Sequence, residues 1–273
     1  MPFAYNENVA LYYQEQGEGE PLVLSSGLGG VRSYWAPQIQ ELSRRFRVIT
    51  YDHAGSGQST RSVGPRSIDA FAKDIEAVIT ASGAQSAHIM GHAVGGMMGL
   101  QLAMTVPDRV RSLIVVNGWG APDPHIRRCF SVRRNLLVHS GRAAYVEAQP
   151  LFLYPAPWIS ASDAQLRAAA RHAPEHMPDT EDLLDRIDRF EAFDPADQAL
   201  ANVSCPVMCL STRDDMLVPW QAGEALSNRL PKASFVLLPH GGHASSQTDA
   251  PAFAEAVRSF YHTQATCEQE YSL

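Results

Sequence analysis

Short apolar runs alternate with helical runs along the first 120 residues, and this alternation restricts the fold more than any other feature of the chain. An alternating stretch (Val9, Leu11, Tyr13) leads through a turn at Gly17-Glu18-Gly19-Glu20 into Pro21-Leu22-Val23-Leu24-Ser25-Ser26, which reads as a buried strand. Arg47–Tyr51, Ala87–Met90 and Val110–Val116 read the same way. Between them, Ile68, Phe71, Ile75, Val78 and Ile79 recur at helical spacing after Ser67, a residue suited to capping a helix start. Val94–Thr105 reads as an apolar helix with Pro107 just beyond it. Strand, helix and strand in succession imply βαβ units and a mostly parallel sheet covered by helices on both faces.

Near Gly118 the texture changes. Residues 120–200 offer no convincing strand and carry helical spacing, as in Arg127–Leu137 and Thr180–Phe190. The strand pattern returns with Val207–Leu210 and Ser234–Leu238, separated by a helix over Gln221–Leu230. A closing helix is expected over Pro251–Tyr261, with a frayed tail from Thr263. The expected organisation is an α/β core formed by 1–119 and 201–273, with a helical cap, 120–200, over the carboxyl ends of the strands. Ligands bind at those ends in open α/β sheets.

With 22 basic against 29 acidic residues and a net charge of -7, the chain lacks the basic face of a nucleic-acid binder. No apolar run approaches the roughly 18–20 residues needed to span a bilayer. The N-terminal stretch has no basic segment followed by an apolar one. The expectation is a soluble, cytoplasmic protein acting on a small molecule, with a twofold homodimer as the default oligomer. Cys129, Cys205, Cys209 and Cys267 are scattered without metal-site spacing and are expected to be reduced thiols, with no metal held. The glycine-rich loop His53-Ala54-Gly55-Ser56-Gly57-Gln58-Ser59 lacks the spacing of either phosphate-binding motif, and no cofactor is expected.

Three features fall at strand ends. Gly91-His92-Ala93-Val94-Gly95 carries the glycine spacing of G-x-S-x-G, the nucleophile elbow, with Ala93 where the nucleophilic serine would stand. Thr212-Arg213-Asp214-Asp215 supplies a carboxylate; Asp215, four residues before Pro219, is the better candidate and Asp214 the fallback. Pro239-His240-Gly241-Gly242-His243 presents His243 on a glycine-flanked loop, suited to a general base.

The chain order of elbow, acid and histidine is that of the α/β-hydrolases, and the chain resembles that family over nearly its whole length. Ser26-Gly27-Leu28-Gly29-Gly30 is similar to the family's oxyanion loop, with Ser26 where many members carry His. Asp52 to Ser59 is similar to its D-x-R-G-x-G-x-S turn, with Ala54 replacing the usual Arg. Within the family the chain resembles the RutD-like hydrolases of the Rut pyrimidine-degradation pathway. That likeness is carried by Gly27–Gly30 with Ser33-Tyr34-Trp35, by the elbow, by Val116-Asn117-Gly118-Trp119 and Arg127–Phe130, and above all by the run Val146–Ala156.

The resemblance implies a hydrolase of a small C–N substrate, either carbamate or 3-aminoacrylate. A methyl group cannot attack a carbonyl. The expected mechanism is attack by water that His243, oriented by Asp215, deprotonates, with the N–H groups of Leu28 and Val94 forming the oxyanion hole. The alternatives are a serine esterase, amidase or C–C hydrolase whose nucleophile was replaced by Ala93 to trap a ligand, and a non-catalytic binding protein using the same pocket. His92, Trp119, Tyr154 and Arg128 are candidate pocket residues. The last is drawn from the basic pairs Arg127-Arg128 and Arg133-Arg134, any of which can grip a substrate carboxylate if it turns inward.

Overall fold

The apolar runs become one sheet. The computed structural model describes residues 2–270, with side chains described through Thr263. Its strands are β1 (Phe3–Asn6), β2 (Val9–Gln16), β3 (Glu20–Ser25), β4 (Phe46–Tyr51), β5 (Ala87–His92), β6 (Val110–Val116), β7 (Val207–Thr212) and β8 (Ala233–Leu238). They line up as an eight-stranded sheet in the order β1-β2-β4-β3-β5-β6-β7-β8. From β4 to β8 all neighbours are parallel, whereas β1–β2 and β2–β4 are antiparallel.

Period-two alternation distributes each central strand between two cores. Leu113 and Val115 of β6 face one apolar cluster, with Val23, Ile49, Ile89 and Cys209. Ile114 and Val116 face the other, with Leu24, Met90, Leu210, Trp35 and Phe253. Both faces being buried explains why these strands read as nearly unbroken apolar runs.

The helices are α1 (Ala36–Leu42), α2 (Ile68–Ala81), α3 (Val94–Thr105), α4 (Pro124–Asn135), α5 (Gly141–Leu153), α6 (Ala156–Ala161), α7 (Asp163–His176), α8 (Thr180–Glu191), α9 (Asp197–Leu200), α10 (Trp220–Arg229), α11 (Ser245–Thr248) and α12 (Ala250–Glu270). Ser67 caps α2, its Oγ accepting the Ala70 N–H at 3.1 Å. Helices α4 to α9 all lie between β6 and β7. They rest on loops that leave the carboxyl ends of the strands. The side chain of Asp182 accepts the N–H groups of Val63 and Gly64, Arg186 donates to the carbonyls of Leu28 and Ala54, and the Leu153 carbonyl accepts the Ala244 N–H.

The structure departs from the sequence reading at several elements. β1 was not expected: its four residues carry no clear pattern, and it is fixed by pairing with β2 and by Asn6, which donates to Asp74 of α2 at 2.7 Å. α1 is also additional; it begins beside Pro37 and buries Gln38 and Leu42. α12 continues to Glu270 instead of stopping near Tyr261, since neither glycine nor proline interrupts residues 262–270. Cys129, Cys205 and Cys209 are buried free thiols, and the Cys267 side chain lies outside the described residues.

Candidate active site

The elbow between β5 and α3 is possible only with glycines on either side. A Cβ on Gly91 would stand 2.3 Å from the backbone of Gly95, and one on Gly95 would stand 2.4 Å from the Ser26 carbonyl oxygen. The tight turn forces Ala93 to φ 48° and ψ -116°, a conformation that costs a non-glycine residue roughly 1–3 kcal/mol. The Ala93 N–H donates to the Val116 carbonyl at 2.7 Å, and its own carbonyl accepts from Gly96 and Met97. The fold therefore retains the strained geometry that would present a nucleophile, with a methyl group in that place.

His243 lies against this turn. Its ring centroid is 4.6 Å from that of His92, the residue before Ala93. Its Nδ1 is 2.8 Å from Asp215 Oδ2, and both side chains are almost wholly buried. Asp215 Oδ1 accepts the N–H groups of Leu217 and Val218, which fixes the carboxylate. A carboxylate accepts hydrogen bonds, so the proton sits on Nδ1 and Nε2 keeps its lone pair. Among the described residues Nε2 has no hydrogen-bond partner, and it is not one of the enclosed atoms lacking one, so it borders space that water can enter. Asp214 turns elsewhere, accepting the N–H groups of Gly241 and Gly242. One acid thus meets the imidazole and its neighbour holds the glycine pair of the same loop.

His92 bonds backbone. Its Nε2 lies 2.8 Å from the His243 carbonyl oxygen, which can only accept, so Nε2 carries the proton. Burial above all, with His243 close by, holds the ring well below the ordinary histidine pKa and keeps it neutral. The ring also stacks on Tyr34 at 4.4 Å.

The N–H groups of Leu28 and Val94 have no acceptor among the described residues. The loop carrying Leu28 is closed by a bond from Gly30 N–H to the Gly27 carbonyl at 2.9 Å. Arg186 Nη1 donates to the Leu28 carbonyl, also at 2.9 Å.

The other expected pocket residues scatter. Tyr154 is half-buried; its hydroxyl donates to Gln247 and its ring lies 4.5 Å from that of Trp158. Trp119 is fully buried and packs on Phe130 of α4. Arg128 is exposed, contrary to expectation, and the arginine of α4 that turns inward is Arg133. The two sit five positions apart, roughly 140° around a helix of 3.6 residues per turn, so they cannot share a face. Cavities of about 490 and 570 Å³ lie away from His243, one between α1 and α12 and the other between α2 and α8.

Comparison with known proteins agrees with this fold. A family model described as the alpha/beta hydrolase fold matches residues 20–250. The chain belongs to the α/β-hydrolase fold family. Within it, the chain belongs to the RutD group. It is 44% identical to a protein of Azorhizobium caulinodans over 260 residues, covering 95% of this chain and 98% of the other. It is 46% identical to one of Pseudomonas syringae over 251 residues, covering 92% and 96%. Both carry the provisional name carbamate hydrolase RutD. Among solved structures, an enol-lactonase of Burkholderia xenovorans superposes with a TM-score of 0.85 at 26% identity, over 96% of this chain and all of the other.

For a hydrolase of this family, the most consequential residue that sequence reasoning left without a role is Asn117. It is buried at positive φ just after β6. Its Nδ2 donates to the His243 carbonyl at 2.8 Å, and its Oδ1 accepts the Thr212 N–H at 3.0 Å. Thr212 Oγ1 in turn donates to the Gly242 carbonyl at 2.6 Å. One amide thereby ties the ends of β6 and β7 to the histidine loop. The signals in the sequence were an asparagine directly after a buried strand, a position that tolerates left-handed backbone, and its place in the Val116–Trp119 stretch that carries the family likeness.

Proposed function

We propose that the chain hydrolyses a C–N bond of a small substrate of the carbamate or aminoacrylate class, with water as the nucleophile. The observation that carries this reading is the His243–Asp215 pair set against an elbow whose central side chain is a methyl group. The relatives named as carbamate hydrolases supply the substrate class. Residues 120–200 act as a cap over the site, and the enzyme works in the cytoplasm. Among the described residues no helix is long and apolar enough to cross a membrane.

In this mechanism His243 Nε2 takes a proton from water as the water oxygen bonds to the carbamate carbon. Charge developing on the carbonyl oxygen meets the N–H groups of Leu28 and Val94, which are independent of the side chain at 93. The adduct collapses with cleavage of the C–N bond; the electron pair leaves on nitrogen, His243 returns the proton to it, and ammonia and bicarbonate result. For an aminoacrylate, the same base delivers water to the carbon of the imine tautomer, and the resulting carbinolamine collapses to an aldehyde as the C–N bond breaks and nitrogen leaves as ammonia with the proton His243 returns. Serine hydrolases stripped of a triad member keep ~10³–10⁴-fold acceleration over water from the oxyanion hole and binding. Substrates that already hydrolyse spontaneously suit a site of that power.

Ammonia release from carbamate by the wild-type chain and by Ala93→Ser tests the reading. The expected result is release above the spontaneous rate that changes by no more than a few-fold in the variant. An inert wild-type chain that gains several orders of magnitude on esters with serine restored supports the serine-hydrolase alternative instead. Tight ligand binding without turnover, indifferent to His243→Ala, supports the binding protein.

A further inference from the structure

Carbamates and aminoacrylates are anions at neutral pH, and the proposed site already holds the Asp215 carboxylate. Bringing the two together in a buried corner requires a cation. Three arginines of the inserted helices compete for that role. Arg128 is exposed. Arg186 is buried with both terminal nitrogens engaged, Nη1 with the Leu28 carbonyl and Ser56 Oγ and Nη2 with the Ala54 carbonyl, leaving only Nε without a partner. Arg133 differs from both.

Arg133 is 4% exposed, and among the described residues it has no carboxylate partner. Its bonds run from Nη2 alone, to the Tyr145 hydroxyl at 3.0 Å and to Gln149 Oε1 at 2.6 Å, both neutral acceptors on α5. Nε is enclosed and lacks a partner, and no bond is made by Nη1. The rings of Phe130, Tyr145 and Phe152 lie 5.5–5.8 Å from its guanidinium carbon. Cation–π contact of this kind holds the head in place and leaves the donor edge unused. Buried charges are ordinarily paired, so an unpaired buried guanidinium calls for a missing partner.

Its surroundings connect to both members of the catalytic pair. Cys129, one turn earlier on α4, brings its Sγ to 3.7 Å from the carbonyl of Met216, the residue after Asp215. Phe152 precedes Leu153, whose carbonyl accepts the N–H of Ala244, the residue after His243. Arg133 thus stands among side chains that abut the acid loop and the histidine loop.

We propose that Arg133 is the anion-binding group of the site, its unused donor edge receiving the carboxylate or carbamate oxygens of a small substrate. This rests on the anionic substrate class proposed above, and it defines a binding step that is measurable without turnover.

The test compares binding of propionate, a small unreactive carboxylate, with binding of neutral propionamide, by calorimetry or NMR titration. The proteins are the wild-type chain, Arg133→Lys and Arg133→Met. Propionate affinity should fall ~10- to 100-fold in Arg133→Met, the loss of a charge-assisted hydrogen-bonded pair, with propionamide affinity unchanged. Arg133→Lys should recover part of it, since lysine keeps the charge and loses the fork. In turnover, the same variants should raise KM for an anionic substrate and leave kcat within a few-fold. The proposal is overturned by undiminished propionate binding in Arg133→Met, by equal losses for propionate and propionamide, or by a wild-type chain that does not bind propionate. If Arg133→Met fails to fold, Arg133→Lys decides: full affinity for propionate with no change in KM removes the fork from recognition. Arg133-dependent propionate binding without C–N hydrolysis would sink the functional reading and leave this one standing. Hydrolysis indifferent to both Arg133 variants would do the reverse.

Discussion

The corner around Ala93 and the helices laid over it are held by different kinds of bond. At the corner the contacts are short and run mostly to backbone. The His243 carbonyl receives both His92 and Asn117, Asp215 receives two N–H groups beside the imidazole, and Ala93 is pinned to Val116. The inserted helices are attached by side chains as well as backbone: Arg186 donates to the Leu28 and Ala54 carbonyls, Asp182 accepts the Val63 and Gly64 amides, and the Leu153 carbonyl accepts the Ala244 N–H, while Arg133 bonds Tyr145 and Gln149 within the insertion. Backbone-anchored groups hold position within the tolerance proton transfer requires. Side chains of the insertion are separable from that geometry, so the recognition proposed for Arg133 can change while the corner persists.

The largest expected effect falls on the corner. His243→Ala should lower kcat by ~10²–10⁴-fold, the usual contribution of a positioned general base. Turnover undiminished in that variant would remove the division between chemistry at the corner and recognition above it.

Next in size is Asn117→Ala. It leaves the Thr212 N–H and one lone pair of the His243 carbonyl without their partner and places alanine at positive φ. Chemical denaturation should show a loss of about 2–4 kcal/mol, since each unsatisfied buried group costs about 1–3 kcal/mol. A loss below about 0.5 kcal/mol would mean that the corner does not depend on this amide.

The pH dependence of stability separates the regions differently. Burial, with His243 close to His92 and the Arg186 charge close to His53, holds both rings well below the ordinary value, so they stay neutral in the fold. Unfolding below about pH 6.5 lets each bind a proton, and stability falls as pH falls, by about 1.4 kcal/mol per pH unit per ring at full effect. Asp74 acts in the opposite sense: burial raises it to about 6, so between about pH 4 and 6 the fold retains a proton that the unfolded chain has lost. Net proton uptake on unfolding should therefore stay near one between about pH 6 and 5 and approach two only below about pH 4, where Asp74 is protonated in both states. Replacing His92 with Asn should reduce that uptake by one throughout, read from denaturation midpoints across pH.

The smallest effect should be Arg128→Ala, an exposed position on α4, with stability within about 0.5 kcal/mol of wild type and unaltered KM. A clear rise in KM there would transfer the recognition role from Arg133 to its neighbour.

Much of the frame was legible because local pattern and global fold agree. α3 spans Val94–Thr105 and β6 spans Val110–Val116, as their apolar runs and the flanking Gly95 and Pro107 indicate. The elbow was legible from two glycines because only glycine allows the backbones of Gly91 and Gly95 to approach so closely. β1 and α1 were not, since short elements take their stability from neighbours and not from their own pattern. Arg133 could not be told from Arg128 either. Both are arginines on one amphipathic helix, and which face is inward depends on where α5 packs.

The order of residues alone determined the alternating strands and helices, the close turn that strains position 93, and the acid and imidazole that follow it in the chain. These depend on periodicity, glycine and spacing, which act over a few residues. Only the tertiary structure decided that Asn117 would bind the histidine loop, that Arg186 would reach the Leu28 carbonyl, and that Arg133 would be buried without a counter-charge. Those contacts join residues tens to more than a hundred positions apart, and their partners are chosen by packing rather than by any local rule.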